Sequence, residues 1–211
     1  MALWFFPMAA TLKPITKTET EWAYQLPAKR SKQYQHSRGY VREALSQIWN
    51  VPALKIPLHA PPGDVPVLDE GWGNVSFSHC CDGLFIGWSL YRIGVDIERA
   101  DRNFKADLIT KRYFSAKDNE SLKNLHGNSF RAAVLKQWLI KEAAIKWQRG
   151  RLSADIAEWN FCKLSHEATH QSKGYKLGVH FIKHRLWNMA VAFEKRYQKI
   201  PPIICTEYSQ T

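Results

Sequence analysis

The sequence predicts an α+β fold made of two similar halves, each a helix packed on a small, mostly antiparallel sheet. Three observations carry this. Val41, Leu45, Ile48 and Trp49 recur at helical spacing in the first half, and a stronger helical stretch occupies the second. Short strand-like runs follow each helix, separated by turn residues. The order of element types then repeats, helix before strands, although no repetition of the residues themselves accompanies it.

The chain opens on an apolar, aromatic run, Leu3 to Phe6, followed by a polar stretch. A helix is expected from Lys29 to Asn50, and five prolines between Pro52 and Pro66 make the next stretch a loop. Val75 to Phe77 and Leu84 to Leu90 read as strands around a turn at Asp82-Gly83, and GVDIE (94–98) reads as a third. The charged ERADR ends that set, so a boundary is expected near Arg99 to Arg102, giving halves of 1–100 and 101–197. The second half begins with a helix at Lys105 to Tyr113 and a polar segment containing Ser115 to Asp118. A stronger helix runs from Ser129 to Gln148, stopped by Gly150, before strands at Trp159 to Leu164, Tyr175 to Ile182 and Met189 to Phe193. Residues 198–211, with Pro201-Pro202, are expected to form a loosely held tail.

Composition narrows the function classes. With 211 residues, 45% apolar, and nine tryptophans, the chain can bury a substantial core. Thirty Lys and Arg against nineteen Asp and Glu give a net charge of +11, which calls for an anionic partner: nucleic acid, a phosphorylated small molecule, an acidic protein or lipid headgroups. The apolar start lacks the basic flank and length of a secretory signal, and no stretch has the length of a membrane span. Cys80, Cys81, Cys162 and Cys205 form neither a CxxC pair nor a zinc-ligand spacing, which fits inert thiols in a reducing, cytoplasmic setting.

GVDIE carries two carboxylates at alternate positions. In an extended strand Asp96 and Glu98 share one face, about 7 Å apart, while Val95 and Ile97 share the other. One reading is an amphipathic strand with a wet face. LKQWLIKEAAIKWQRG (135–150) points to another. On a wheel with Val134 at zero, Ile145 falls at about 20°, Trp138 at about 40°, Leu135 at about 100° and Leu139 at about 140°. Glu142 lands at about 80°, in the centre of that apolar arc, and Lys146 at about 120°. A Glu142–Lys146 pair at i,i+4 explains a surface position and not this one. If Glu142 faces the same point as Asp96 and Glu98, three carboxylates converge, and a hard divalent cation relieves their repulsion. Mg²⁺ suits oxygen ligands and commonly bridges substrate phosphates. Lys141 and Lys146 then add positive charge beside the same anion, the equipment of phosphoryl transfer.

GVDIE followed by WLIKEA (138–143) resembles the paired signature of 4′-phosphopantetheinyl transferases of the larger, Sfp-type class, whose usual form is G-hydrophobic-D-hydrophobic-E and then W-x-x-K-E-A. SFSHCCDG (76–83) is similar to that family's N-x-S-H segment, RYFS (112–115) to its R-F-F-s segment, and IKWQRGRL (145–152) to its I-K-x-x-G-x-G-L continuation. The resemblance implies two α+β halves around a cleft holding coenzyme A and Mg²⁺, and transfer of the phosphopantetheine arm to a serine of an acidic apo carrier protein. It assigns Asp96, Glu98 and Glu142 to the metal, with Glu142 also as general base. Lys146 and Lys141 fall on phosphate contacts, His79 with Ser78 near the 3′-phosphate and pyrophosphate, and Arg42 on the 3′-phosphate. Two departures stand: Asp64 in PPGDVP (61–66) replaces an expected Lys, and the second glycine of the continuation is absent. A monomer suffices, because both halves of the expected cleft lie in one chain.

Two rivals use the same residues. A basic nucleic-acid-binding protein, such as a Mg²⁺-dependent nuclease, fits the charge and the aromatics, but no nucleic-acid-binding motif is present and the signature lysines lie beside Glu142 on a helix. A catalytically dead carrier-binding module is disfavoured by the intact acids and lysines. The remaining histidines, His36, His59, His126, His166, His170, His180 and His184, show no partner pattern.

Overall fold

Strand formation begins at the first apolar run, β1 (Ala2–Pro7), whose Leu3, Trp4, Phe5 and Phe6 are all buried. The computed structural model describes residues 1–8, 11–195 and 201–205. Beyond β1 the polar stretch contains a helix that hydrophobic spacing does not announce, α1 (Lys17–Tyr24). A capping box starts it: the Thr16 and Glu19 side chains each accept the other's backbone N–H. The next helix, α2 (Ala28–Trp49), lies within one residue of the expected bounds. Within the proline-rich loop are a single 3₁₀ turn and a ribbon of β2 (Leu58–His59) and β3 (Val67–Leu68).

Across the Asp82 turn, β4 (Asn74–His79) and β5 (Gly83–Ser89) form the expected hairpin. β5 also pairs antiparallel with β1, and Ile203–Cys205 adds to the other edge of β1 in parallel. Part of the expected loose tail is therefore a strand; its residues 198–200 and 206–211 lie outside the described residues. The α2 side chains Tyr40, Val41, Ala44 and Leu45 pack on Trp4, Leu84 and Ile86. Val41, Leu45, Leu84 and Ile86 are fully buried, and each such side chain contributes about 1.5–3 kcal/mol.

GVDIE does not join that sheet. It lies inside β6 (Ile93–Arg99), after which come α3 (Ala106–Tyr113), α4 (Ala116–Leu122), α5 (Gly127–Gln148) and α6 (Leu152–Asp155). Then follow β7 (Trp159–Cys162), β8 (Glu167–His170), β9 (Lys176–His184) and β10 (Trp187–Phe193). The sheet runs β6-β10-β9-β8-β7 and is antiparallel throughout. β8 was not expected. Ser115 and Asp118 form a second capping box, which converts the polar segment after α3 into the start of α4.

The chain thus divides into two units, Met1–Leu90 with Pro201–Thr211, and Tyr91–Ile200. This corrects the boundary expected near Arg99 to Arg102. Residues 93–99 are matched one for one with 187–193 of β10, so the strand that carries the acids belongs to the second unit. Each unit carries a 22-residue helix on a mostly antiparallel sheet, the α+β architecture with repeated element types that the sequence predicts. Among the described residues no helix is long and apolar enough to cross a membrane.

Candidate active site

The seat of α5 on β6 is set by a glycine. A Cβ at Gly94 would meet Ala143 O at 1.9 Å and Trp147 N at 2.4 Å, so helix and strand backbones touch there and only hydrogen fits. Side chains alternate along β6, so Asp96 and Glu98 project from the same face as Gly94, toward α5. Val95 and Ile97 are buried on the opposite face. Close backbone approach at Gly94 thereby fixes the height of Asp96 against the last turns of α5. Lys146 Nζ donates to Asp96 Oδ1 at 2.7 Å, and Asp96 is 2% exposed.

Glu98 accepts a hydrogen bond from Arg102, a partner that sequence reading left inside the charged ERADR run. Burial raises the Glu98 carboxyl above its ordinary range; Arg102 and Lys146 pull it down and Asp96 pushes it up. Glu142 is affected more strongly. Burial first, then repulsion from Asp96 and Glu98, push it up to about 8 against the opposing pull of Lys146 and Arg102. The three acids therefore share one electrostatic environment. The expected convergence on one point is not seen: the oxygens of Asp96, Glu98 and Glu142 do not all lie within 4.8 Å of one another, and Lys146 holds Asp96 while Arg102 holds Glu98. Among the described residues, the group whose ligand atoms come within 4.8 Å of one another is Cys80, Cys81 and Asp82, at the turn between β4 and β5. There burial lifts the Cys80 thiol to about 12.

The acid-bearing strand, α5 and the rest of the second unit coincide with a family model. The 4′-phosphopantetheinyl transferase superfamily matches residues 92–197, half of the 211-residue chain. The chain belongs to that superfamily. Among solved structures, holo-ACP-synthase from Plasmodium yoelii is similar over 47% of this chain and 90% of its own, with 18% sequence identity and a TM-score of 0.37. No curated protein matches the chain.

Two of the basic residues expected on phosphate do something else in this transferase. Lys141 is 1% exposed, and its ammonium donates to Asp118 Oδ2 at 2.6 Å, to Ile156 O at 3.0 Å and to Trp159 O. Those bonds use all three of its protons, tying α5 to α4 and to the start of β7. Burial lowers its pKa, and Asp118 opposes the shift. Arg42 is likewise inside the first unit. It grips Glu19 with Nε at 2.8 Å and Nη2 at 3.1 Å, and donates to the carbonyls of Ile56, Leu58 and Ala53 at 2.6, 3.1 and 3.4 Å. All five N–H donors are engaged, so no proton remains for a phosphate.

Ser78 and His79 end β4, Ser78 buried and His79 exposed, opposite Phe85 and Leu84 of β5. They belong to the first unit; Asp96, Glu98, Glu142, Lys141 and Lys146 belong to the second. Gly150 also proves to have a packing role. The left-handed residue that ends α5 is Arg149 (φ 58), whereas a Cβ at Gly150 would meet Asp155 Oδ2 at 2.5 Å.

Proposed function

We propose that this transferase is of the larger, Sfp-type class and moves the 4′-phosphopantetheine arm of coenzyme A to a serine of an acidic apo carrier protein. The observation that carries the reading is the cluster of Asp96, Glu98 and Glu142 around Lys146, inside the span that matches the family. Its donor set, three carboxylates and no sulfur or imidazole, is the chemistry a hard divalent cation takes. Burial, with repulsion from Asp96 and Glu98 added to it, pushes Glu142 up to about 8, and a bound cation would favour its charged form. Asp96, Glu98 and Glu142 would hold Mg²⁺, which supplies neutralisation of the coenzyme pyrophosphate when bound.

The rest of the chemistry falls to the chain's own groups. Lys146, a third exposed, offers positive charge beside Asp96 to the same phosphates. To Glu142 we assign the general-base role of taking the proton of the carrier serine. Serine Oγ bonds to the phosphorus that bears pantetheine, and the bond from that phosphorus to the bridging pyrophosphate oxygen breaks. Adenosine 3′,5′-bisphosphate leaves with the electron pair. Ser78 and His79 are the contacts we assign to the coenzyme from the first unit; Arg42 and Lys141 are withdrawn from that role. The chain acts as a monomer in the cytoplasm on this reading.

The test is an incubation of the protein with an apo carrier domain, Mg²⁺ and coenzyme A, followed by intact mass of the carrier. Addition of one phosphopantetheine arm is expected. No addition to any of several fatty-acid, polyketide and peptide carriers would overturn the assignment.

A further inference from the structure

Beside the acids lies a groove that the proposed chemistry does not use. It encloses about 720 Å³ between the first half of α5 and the ends of β9 and β10, and its charged lining is Arg131, Lys136, Lys183 and Arg185 against one carboxylate, Asp101. That carboxylate is already taken, since Arg99 grips both of its oxygens at 2.8 and 2.6 Å. Among the described residues no carboxylate lies within 4.0 Å of Lys136, Lys183 or Arg185. Lys136 instead lies over the rings of Phe181 and Phe161, at 5.1 and 5.5 Å. Burial lowers its pKa, and the nearby charges of Lys163 and Lys183 lower it further. A fold that gathers like charges without a counter-charge is spending stability on them, and an anionic partner recovers it.

Register fixes where the groove opens. Glu98 is opposite Asn188 on β10, and Asn188 is opposite Lys183 on β9. Directly opposed residues of antiparallel strands share a face, so Glu98, Asn188 and Lys183 form one row on the side of the sheet that α5 covers. Two strand spacings put Lys183 about 10 Å from Glu98 along that row. The floor is apolar, with Leu135 and Phe181. A nucleic-acid backbone laid along the groove would run its phosphates toward Glu98 and Asp101, whereas a folded acidic domain can place separate carboxylates on separate cations.

We propose that this groove is the docking surface for the acidic carrier protein, with Lys183 and Arg185 at its rim pairing with carrier carboxylates. The inference rests on the transferase reading and adds the surface through which the serine is delivered. Lys183 and Arg185 are exposed, so reversing them leaves the core untouched.

The experiment uses the full chain and a fluorescently labelled acidic apo acyl carrier protein. Binding is followed by anisotropy without coenzyme, and transfer is followed separately by intact mass. The Lys183→Glu/Arg185→Glu variant is expected to weaken carrier binding and raise the carrier KM about tenfold or more, with a flatter salt dependence and an unchanged KM for coenzyme A. A control, Lys29→Glu/Arg30→Glu at the exposed start of α2, changes net charge equally and is expected to bind as wild type. Unchanged carrier binding in the groove variant overturns the proposal, as does equal weakening in the control or no carrier binding by wild type. Wild-type binding that is lost in the groove variant, without any transfer, sinks the transferase reading and leaves the groove standing.

Discussion

Lys146 Nζ lies 2.7 Å from Asp96 Oδ1, so a single ammonium joins the last turns of α5 to the middle of β6. The same charge holds down both other acids, since Lys146 opposes the upward shifts of Glu98 and Glu142. Lys146→Met should therefore push the Glu142 carboxyl above about 8 and lower transfer about a hundredfold, the usual loss when a charge-stabilising donor is removed. Transfer rate and a carboxyl titration by NMR check the two halves independently. A variant with wild-type turnover would remove Lys146 from the chemistry.

The titration of Glu142 has a definite sign. Its carboxyl is raised from 4.5 to about 8 in the folded state. Between those values the folded protein keeps a proton that the unfolded chain has lost, so this group makes stability fall as pH rises through the interval. A cation on the acids competes with that proton. Binding of Mg²⁺ near neutral pH should release up to about one proton, and above about pH 9 the release should vanish. Calorimetric titrations in two buffers of different ionisation enthalpy measure it. Identical heats in both buffers at pH 7 would show that Glu142 binds no proton there or meets no cation.

The site acids were legible because strand and helix periods are local properties. Alternation put Asp96 and Glu98 on one face, and the wheel put Glu142 among apolar residues. The same wheel held a signal about Lys141 that the family pattern masked. At about 340° it lies some 20° from Val134 and 40° from Ile145, both of them buried. Arg42 is different. Its partner Glu19 lies on α1, a helix started by side-chain caps and not by apolar spacing, and its carbonyl acceptors lie in the proline-rich loop. No periodicity couples those segments. Strand partnership is equally non-local: β6 follows β5 closely in the chain yet pairs with β10, which lies some ninety residues on, and the boundary was misplaced for that reason.

Lys141 and Asp118 form an ion pair with 1% and 4% of their side chains exposed. Removing one partner strands the other charge inside the protein, at a cost of about 3–5 kcal/mol. Lys141→Ala should thus lower the denaturant midpoint sharply, and the double variant Lys141→Met/Asp118→Leu should recover much of the loss. Were Lys141 a phosphate contact instead, Lys141→Ala would raise the KM for coenzyme A at nearly unchanged stability. Urea unfolding beside steady-state kinetics separates the two.

Gly94 offers the most direct test of how the acids are positioned. A methyl group there has no room, since the atoms it would meet are the Ala143 carbonyl oxygen and the Trp147 amide nitrogen of the α5 backbone. Neither can rotate away as a flexible side chain does. Overpacking usually costs about 1–3 kcal/mol, and a backbone-to-backbone clash belongs at the upper end. To relieve it, α5 must lift from β6, which lengthens the reach from Lys146 to Asp96. Gly94→Ala is therefore expected to lose stability and activity together, with Glu142 rising further as Lys146 withdraws. An exposed-position control such as Ser172→Ala should do neither. If Gly94→Ala melted and turned over like wild type, the close seat of helix on strand would not be what holds Asp96, Glu142 and Lys146 in one place.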